Sequence, residues 1–193
     1  MRKLQIEELG RMTVEEFRAA EKLPLTIILD NIRSLHNVGS VFRTADAFRL
    51  ERVCLCGITA CLPSAEIHKT ALGAEDSVPW TYYSDALEAV RELQVQDYCV
   101  LAVEQVEGSI GLDAFRPEAG RRYALVLGNE VKGVQQAVVD ACAQSIEIPQ
   151  YGTKHSLNVS VSAGIVIWEV ARSLRSLDSA VALLPGFNAA FGC

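Results

Sequence analysis

The stretch from residue 144 to 175, QSIEIPQYGTKHSLNVSVSAGIVIWEVARSLR, constrains the rest of the chain more than any other. It begins as a short apolar strand at 145–148, breaks at Pro149, crosses a polar loop through Gly152 and enters a long helix. In that helix Val159, Ala163, Val166, Val170 and Leu174 recur at three- and four-residue steps, while Leu157, Val161, Ile165 and Trp168 do the same on another face. A helix apolar on two faces needs two partners. Ser160, Ser162, Ala163 and Gly164 in its first half are small enough to admit another backbone closely. A core helix accounts for the apolar residues, but not for the polar entry in which Ser156 and Asn158 alternate with Leu157 and Val159.

The preceding chain alternates strand and helix. Thr13 and Glu16 form a capping box ahead of Val14, Phe17 and Ala20, which predicts a short amphipathic helix ended by Pro24. Residues 25–29 read as a buried strand and 30–37 as a polar loop. Asn37 is expected to cap a helix carrying Val38, Val41, Phe42, Ala45 and Phe48, with Arg43 on its less apolar side about two turns on. Further strands are expected at 53–56, 78–82, 98–103 and 123–127, and helices at 64–72, after a Ser84 cap, and at 134–143. The loop 104–111 should sit near a ligand if the sheet is parallel. The alternation predicts an α/β fold with a mainly parallel sheet flanked by helices. A chain of 193 residues, 50% of them hydrophobic, supports one domain. We place it at 24–176, after a helical extension at 1–23 and before a tail at 177–193 that is loosest from 185 onward.

The usual nucleotide fingerprints do not occur. No GxGxxG follows a strand, and Gly152-Thr153-Lys154 lacks the glycine spacing and following hydroxyl of a phosphate-binding loop. The net charge of −6 counts against an extended nucleic-acid surface, although Arg33, His36, Arg43, Lys132, Lys154 and His155 gather around a few polar stretches. Cys54, Cys56 and Cys61 fit no common zinc spacing, so no metal is expected and the cysteines read as reduced core thiols. With neither a signal-peptide run nor a bilayer-length apolar stretch, the expectation is a cytoplasmic protein without a membrane contact.

Three stretches, met in order, carry a resemblance: NIRSLHNVGSVFRTADAF from residue 31, ALVLGNEVKGV from residue 124, and IPQYGTKHSLNVSVSAGIVIWE from residue 148. Together they resemble the signatures of the SpoU (TrmH) family of RNA ribose methyltransferases, in the knotted SPOUT superfamily, over about residues 25 to 175. The resemblance implies a C-terminal deep trefoil knot, which general chain rules make very rare. It also implies S-adenosylmethionine as cofactor, held largely by backbone at Val103, Gly128, Ile148 and Leu157 with Ser156 nearby. The positions matching the family's catalytic set are Asn37, Arg43, Glu130, Ser156 and Asn158. Arg43 would activate a ribose hydroxyl, Glu130 hold or polarise its neighbours, and Ser156 and Asn158 position substrate and loop. The implied partners are RNA, either tRNA or rRNA with a tRNA arm preferred, and a second copy in a homodimer. Two alternatives remain at this level: a catalytically silent RNA-binding module, and a methyltransferase acting on a base atom or small molecule.

Overall fold

Leu23–Asp30, with the sequence LPLTIILD, is the strand on which the structure is built. Leu25, Ile27 and Leu29 face one hydrophobic cluster and Ile28 the other, so this strand, β1, is covered on both sides. The computed structural model describes residues 1–182. Seven strands lie in the order β3-β2-β1-β6-β4-β7-β5, with every pairing parallel. The others are β2 (Leu50–Cys56), β3 (Trp80–Tyr83), β4 (Tyr98–Val103), β5 (Ile110–Gly111), β6 (Arg122–Leu127) and β7 (Gln144–Glu147).

Helices α1 (Val14–Ala19), α2 (Leu35–Ala47), α3 (Ala65–Ala71), α4 (Ala74–Ser77) and α7 (Val159–Ala182) contribute to one face, around Val41, Phe42, Ile67 and Val166. Helices α5 (Ala86–Val95) and α6 (Gln136–Ala141) cover the other, around Ala89, Val90, Leu93 and Val138. Burial pushes the Cys54 thiol up to about 12, as expected of an unreactive core cysteine.

Several local expectations shift. Helix α1 ends at Ala19, and Pro24 lies inside β1, near its start, where a missing donor is tolerated. Helix α2 is capped by Ser34, whose hydroxyl accepts from the Asn37 N–H at 3.3 Å; Asn37 sits buried in the first turn. Asp85, rather than Ser84, caps α5 by accepting from the Leu87 N–H at 3.0 Å. Helix α7 continues through Ala182, and the tail expected from 185 lies outside the described residues. Only one of its two apolar faces is packed: Val159, Ala163, Val166, Val170 and Leu174 are buried, whereas Val161, Ile165 and Trp168 are exposed.

The strand order places the ligand region. From β1 the chain moves one way to β2 and β3, then returns to the other side for β4 and β6. In open parallel sheets the crevice beyond the carboxyl ends of strands, where that direction reverses, is where ligands are held. Here those ends are Asp30 in β1, Val103 in β4 and Leu127 in β6.

Candidate active site

The loop after β6 folds back on itself. Asn129 and Gly133 exchange backbone hydrogen bonds at 3.0 and 2.9 Å, and the Asn129 Oδ1 accepts from the N–H groups of Val131 and Lys132 at 3.0 and 3.1 Å. Glycine is needed at its start for a reason internal to the chain. A Cβ on Gly128 would stand 2.1 Å from the Gly133 carbonyl carbon and the Val134 nitrogen. The close backbone approach at Gly128 is thus made by the loop itself. Glu104, just beyond β4, closes the far side by accepting from the Val134 N–H at 2.9 Å.

This loop is bound to the one after β1. Asn129 Nδ2 donates to the Asn31 carbonyl at 2.6 Å. The buried Asp30 carboxylate accepts from Gln135 N and Nε2 at 3.1 and 2.8 Å and from Asn31 Nδ2 at 2.8 Å. Glu130 is held by as many: its oxygens accept from the N–H groups of Arg33 and Ser34 and from Asn37 Nδ2, each at 3.0 Å. Burial pushes the Glu130 carboxyl up, but the backbone donors of Arg33, Ser34 and Glu130 itself, together with the Asn37 amide, outweigh it and hold the pKa below the ordinary value. The carboxylate is therefore charged at neutral pH, with both oxygens engaged.

Asn37 passes the chain on. Its Oδ1 accepts from Asn158 Nδ2 at 3.2 Å. Asn158 in turn starts α7: its Oδ1 accepts from the Ser160 N–H at 2.9 Å and the Ser160 hydroxyl at 2.6 Å. Glu130, Asn37 and Asn158, separated by up to 121 positions in sequence, thus form one hydrogen-bonded line.

Beside this line lies a cavity of about 470 Å³. All five residues expected to hold the cofactor, Val103, Gly128, Ile148, Ser156 and Leu157, line it. So do Glu130, Glu104, Lys132 and His155. The volume is that of a small-molecule site. Its lining sets Val103, Leu127, Ile148 and Leu157 among backbone polar groups and the carboxylates of Glu104, Glu130 and Glu147, which suits a flat base and a cationic tail together.

Two of the expected catalytic residues stand apart from the line. Ser156 is exposed at the cavity rim, with no hydrogen bond among the described residues. Arg43 lies on the exposed side of α2, outside the cavity lining and without a hydrogen-bond or ion-pair partner among the described residues. Of the other basic groups, His36 faces Glu66 at 3.5 Å. Asp30, Asn31, Glu104 and Asn129 were not singled out as site residues in the sequence. Asn31 and Asn129 fall within the matched stretches, whereas Glu104 gave only its place after a strand as a signal. No group of three or more His, Cys, Asp or Glu among the described residues could hold a metal ion, and no described helix is long and apolar enough to cross a membrane.

The sequence model of the SpoU rRNA Methylase family matches residues 24–168. The chain belongs to that family. Among curated SpoU relatives, the 23S rRNA (guanosine-2'-O-)-methyltransferase RlmB of Haemophilus ducreyi is 30% identical over 88% of this chain and 68% of its own. The enzyme of the same description from Neisseria meningitidis serogroup B is 33% identical over 77% of this chain and 58% of its own. The chain therefore spans about three fifths of the length of several of the curated relatives it matches. A solved structure, the AdoMet-bound rRNA methyltransferase from Sinorhizobium meliloti, superposes with a TM-score of 0.73 at 25% identity, covering 82% of this chain and 60% of that one. The fold is thus shared with that enzyme.

Proposed function

We propose that this protein transfers a methyl group from S-adenosylmethionine to a ribose 2'-hydroxyl of RNA, with ribosomal RNA as the substrate class. The observation that carries the reading is the Glu130–Asn37–Asn158 line, which joins all three signature stretches beside a cavity lined by every expected cofactor residue. The tRNA arm preferred on sequence gives way to ribosomal RNA because the curated relatives are named for 23S rRNA.

When bound, the donor supplies a methyl carbon made electrophilic by its sulfonium. Val103, Ile148 and Leu157 would hold its apolar surface, Gly128 would offer backbone polar groups, and Ser156 would add a hydroxyl at the rim. Glu130 is engaged by three donors and acts as a positioning residue that fixes the Asn37 amide. Asn158 sets the start of α7 and the entry of the loop carrying Ser156 and Leu157. A guanidinium offers donors and no acceptor, so Arg43 serves the developing alkoxide or an RNA phosphate as a hydrogen-bond donor, and the hydroxyl proton is shared or leaves to solvent. Its exposure means that the RNA, or a second copy of the chain, must bring the reacting groups to it.

The same reading includes three finer assignments. A homodimer is supported by the exposed stripe Leu157, Val161, Ile165 and Trp168, whose burial would favour association at roughly 25 cal/mol per Å². A deep trefoil knot is supported by the course of the chain, in which β7 lies beyond β4 while the α7 that follows packs back on α2. Free cysteines among the described residues, Cys54 and Cys56 buried but Cys61 exposed and so not the core thiol expected, suit a reducing, cytoplasmic compartment.

Calorimetry with S-adenosylmethionine, followed by nucleoside mass analysis of RNA from a strain lacking the gene, tests the activity. Donor binding together with one missing ribose-methylated nucleoside is expected; absence of both overturns the reading. Sedimentation should give twice the 21.0 kDa chain mass, and a clean monomer at micromolar concentration refutes the dimer. Pulled from its ends in a single-molecule trap, a knotted chain stops short of full extension, whereas full extension excludes the knot.

A further inference from the structure

Next to the site, at the carboxyl ends of β2 and β3, two apolar side chains face solvent: Ile58 is 66% exposed and Tyr82 48%. Scattered exposed apolar residues need no explanation. These two are built into the site loop through a single peptide group. The Gly57 carbonyl accepts from the Tyr82 hydroxyl at 3.1 Å, and the N–H of the same peptide unit, on Ile58, donates to Asn31 Oδ1 at 3.1 Å. Asn31 is the residue whose own carbonyl is held by Asn129. Gly57 takes a φ of +61°, and a Cβ there would stand 2.2 Å from Asn31 Oδ1, so the contact is available only to glycine. One residue on, Thr59 Oγ1 accepts from the Ile32 N–H at 2.9 Å and donates to the Leu29 carbonyl at 3.0 Å.

The loop after β2 is therefore bound to the loop after β1 at two successive points. Tyr82 pairs in register with Leu55, and Leu55 with Leu29, which puts the ring two strands, roughly 10 Å, from β1. Tyr83 is buried against the α5 side, so Tyr82, its neighbour in an alternating strand, projects to the other face, which α2 also covers. A tyrosine anchored by its hydroxyl offers an open ring at little entropic cost. The charge balance gives such a ring work to do. At a net charge of −6, phosphate attraction is confined to the few basic groups near the site, and stacking of bases on aromatic faces is the main uncharged addition to the grip on RNA.

We propose that Tyr82, with Ile58 beside it, is a stacking platform for an RNA base flanking the target nucleotide; this rests on the ribose-methyltransferase reading above. The test measures both RNA binding and methyl transfer, using ribosomal RNA transcribed in vitro and so free of modification. Tyr82→Ala should weaken RNA binding and raise the KM for RNA by about five- to a hundredfold, the scale of a lost base stack. S-adenosylmethionine affinity should be unchanged, melting should fall only by the small amount that losing one exposed hydrogen bond brings, and the binding loss should be as large at high salt as at low salt because no charge is removed. Tyr82→Trp should bind at least as well as wild type, and Tyr82→Phe should lose less than the alanine variant. If Tyr82→Ala binds RNA like wild type, or if its defect follows a larger fall in melting temperature that Tyr82→Trp shares, the platform is refuted. Tyr82-dependent RNA binding by a wild-type protein that transfers no methyl would overturn the enzymatic reading and keep the platform.

Discussion

The two sides of the site are built differently. On one, the loops after β1 and β6 leave few polar groups idle: Asp30, Glu130 and Asn129 each take or give three hydrogen bonds to other residues through their side chains. On the other, residues 151–158 are exposed throughout, and the Asn158–Asn37 hydrogen bond is the side-chain link tying them to α2. The first side is held by its own hydrogen bonds. The second offers Leu157 and Ser156 to whatever arrives. Rigid placement suits the groups that orient a nucleophile, because misplacement by an ångström costs much of the rate. An open loop suits a site that must admit and release a donor.

Substitutions should separate the sides. The largest effect is expected at Gly128, where alanine would drive a Cβ into backbone that cannot easily yield. Gly128→Ala should cost about 3 kcal/mol of stability and abolish donor binding, as read by denaturant titration and calorimetry. If it melts like wild type, the loop is not rigid and the contrast fails. Next comes Arg43→Ala, which touches neither side within the chain. It should keep S-adenosylmethionine affinity within a few-fold while losing transfer by roughly a hundredfold or more, and Arg43→Lys should also be poor. Single-turnover transfer near the wild-type rate would reduce Arg43 to a surface residue.

A smaller loss is expected of Glu130→Gln, which turns an acceptor toward three donors into a group carrying donors of its own. It should destabilise by about 1–3 kcal/mol and slow transfer. Ser156→Ala, on the open side, should leave stability within about 0.5 kcal/mol and weaken only donor binding. Equal stability losses in these two variants would erase the distinction between the sides. The smallest effect is in pH. The folded pKa of Glu130 lies below its ordinary value of 4.5, so its contribution to stability is complete above about that pH and is lost as pH falls through the folded value. Melting curves of wild type and Glu130→Gln should therefore converge in acid; a gap that stays constant would mean the carboxylate is not what is being measured.

Much of the frame could be read from sequence because it rests on local pattern. The runs in β1, β4 and β6 and the periodicity of α7 name their own elements. What could not be read depended on distant partners. Ser34 and Asn37 are both good cap residues three positions apart, and nothing local distinguishes them. The choice is made by Glu130, 93 residues away, which takes the Asn37 amide and leaves capping to Ser34. The same holds for Gly128, whose need for a missing Cβ arises from Gly133 and Val134 and not from a ligand. Strand β5, two residues long, exists only because β7 lies beside it. The second apolar face of α7 was legible as a demand, but a single chain does not meet it.

One carboxamide, that of Asn158, has two duties. Its oxygen fastens the first turn of α7, and its nitrogen reaches Asn37. The orientation of a 24-residue helix and the geometry at Asn37 are consequently not independent variables. A second chain pressing on Trp168 would bear on the same lever that a donor entering beside Leu157 must accommodate. By linkage, whatever pairing does to donor affinity, the donor must do in equal measure to pairing. The helix would then be a means by which two binding events, one between molecules and one within the site, keep account of each other.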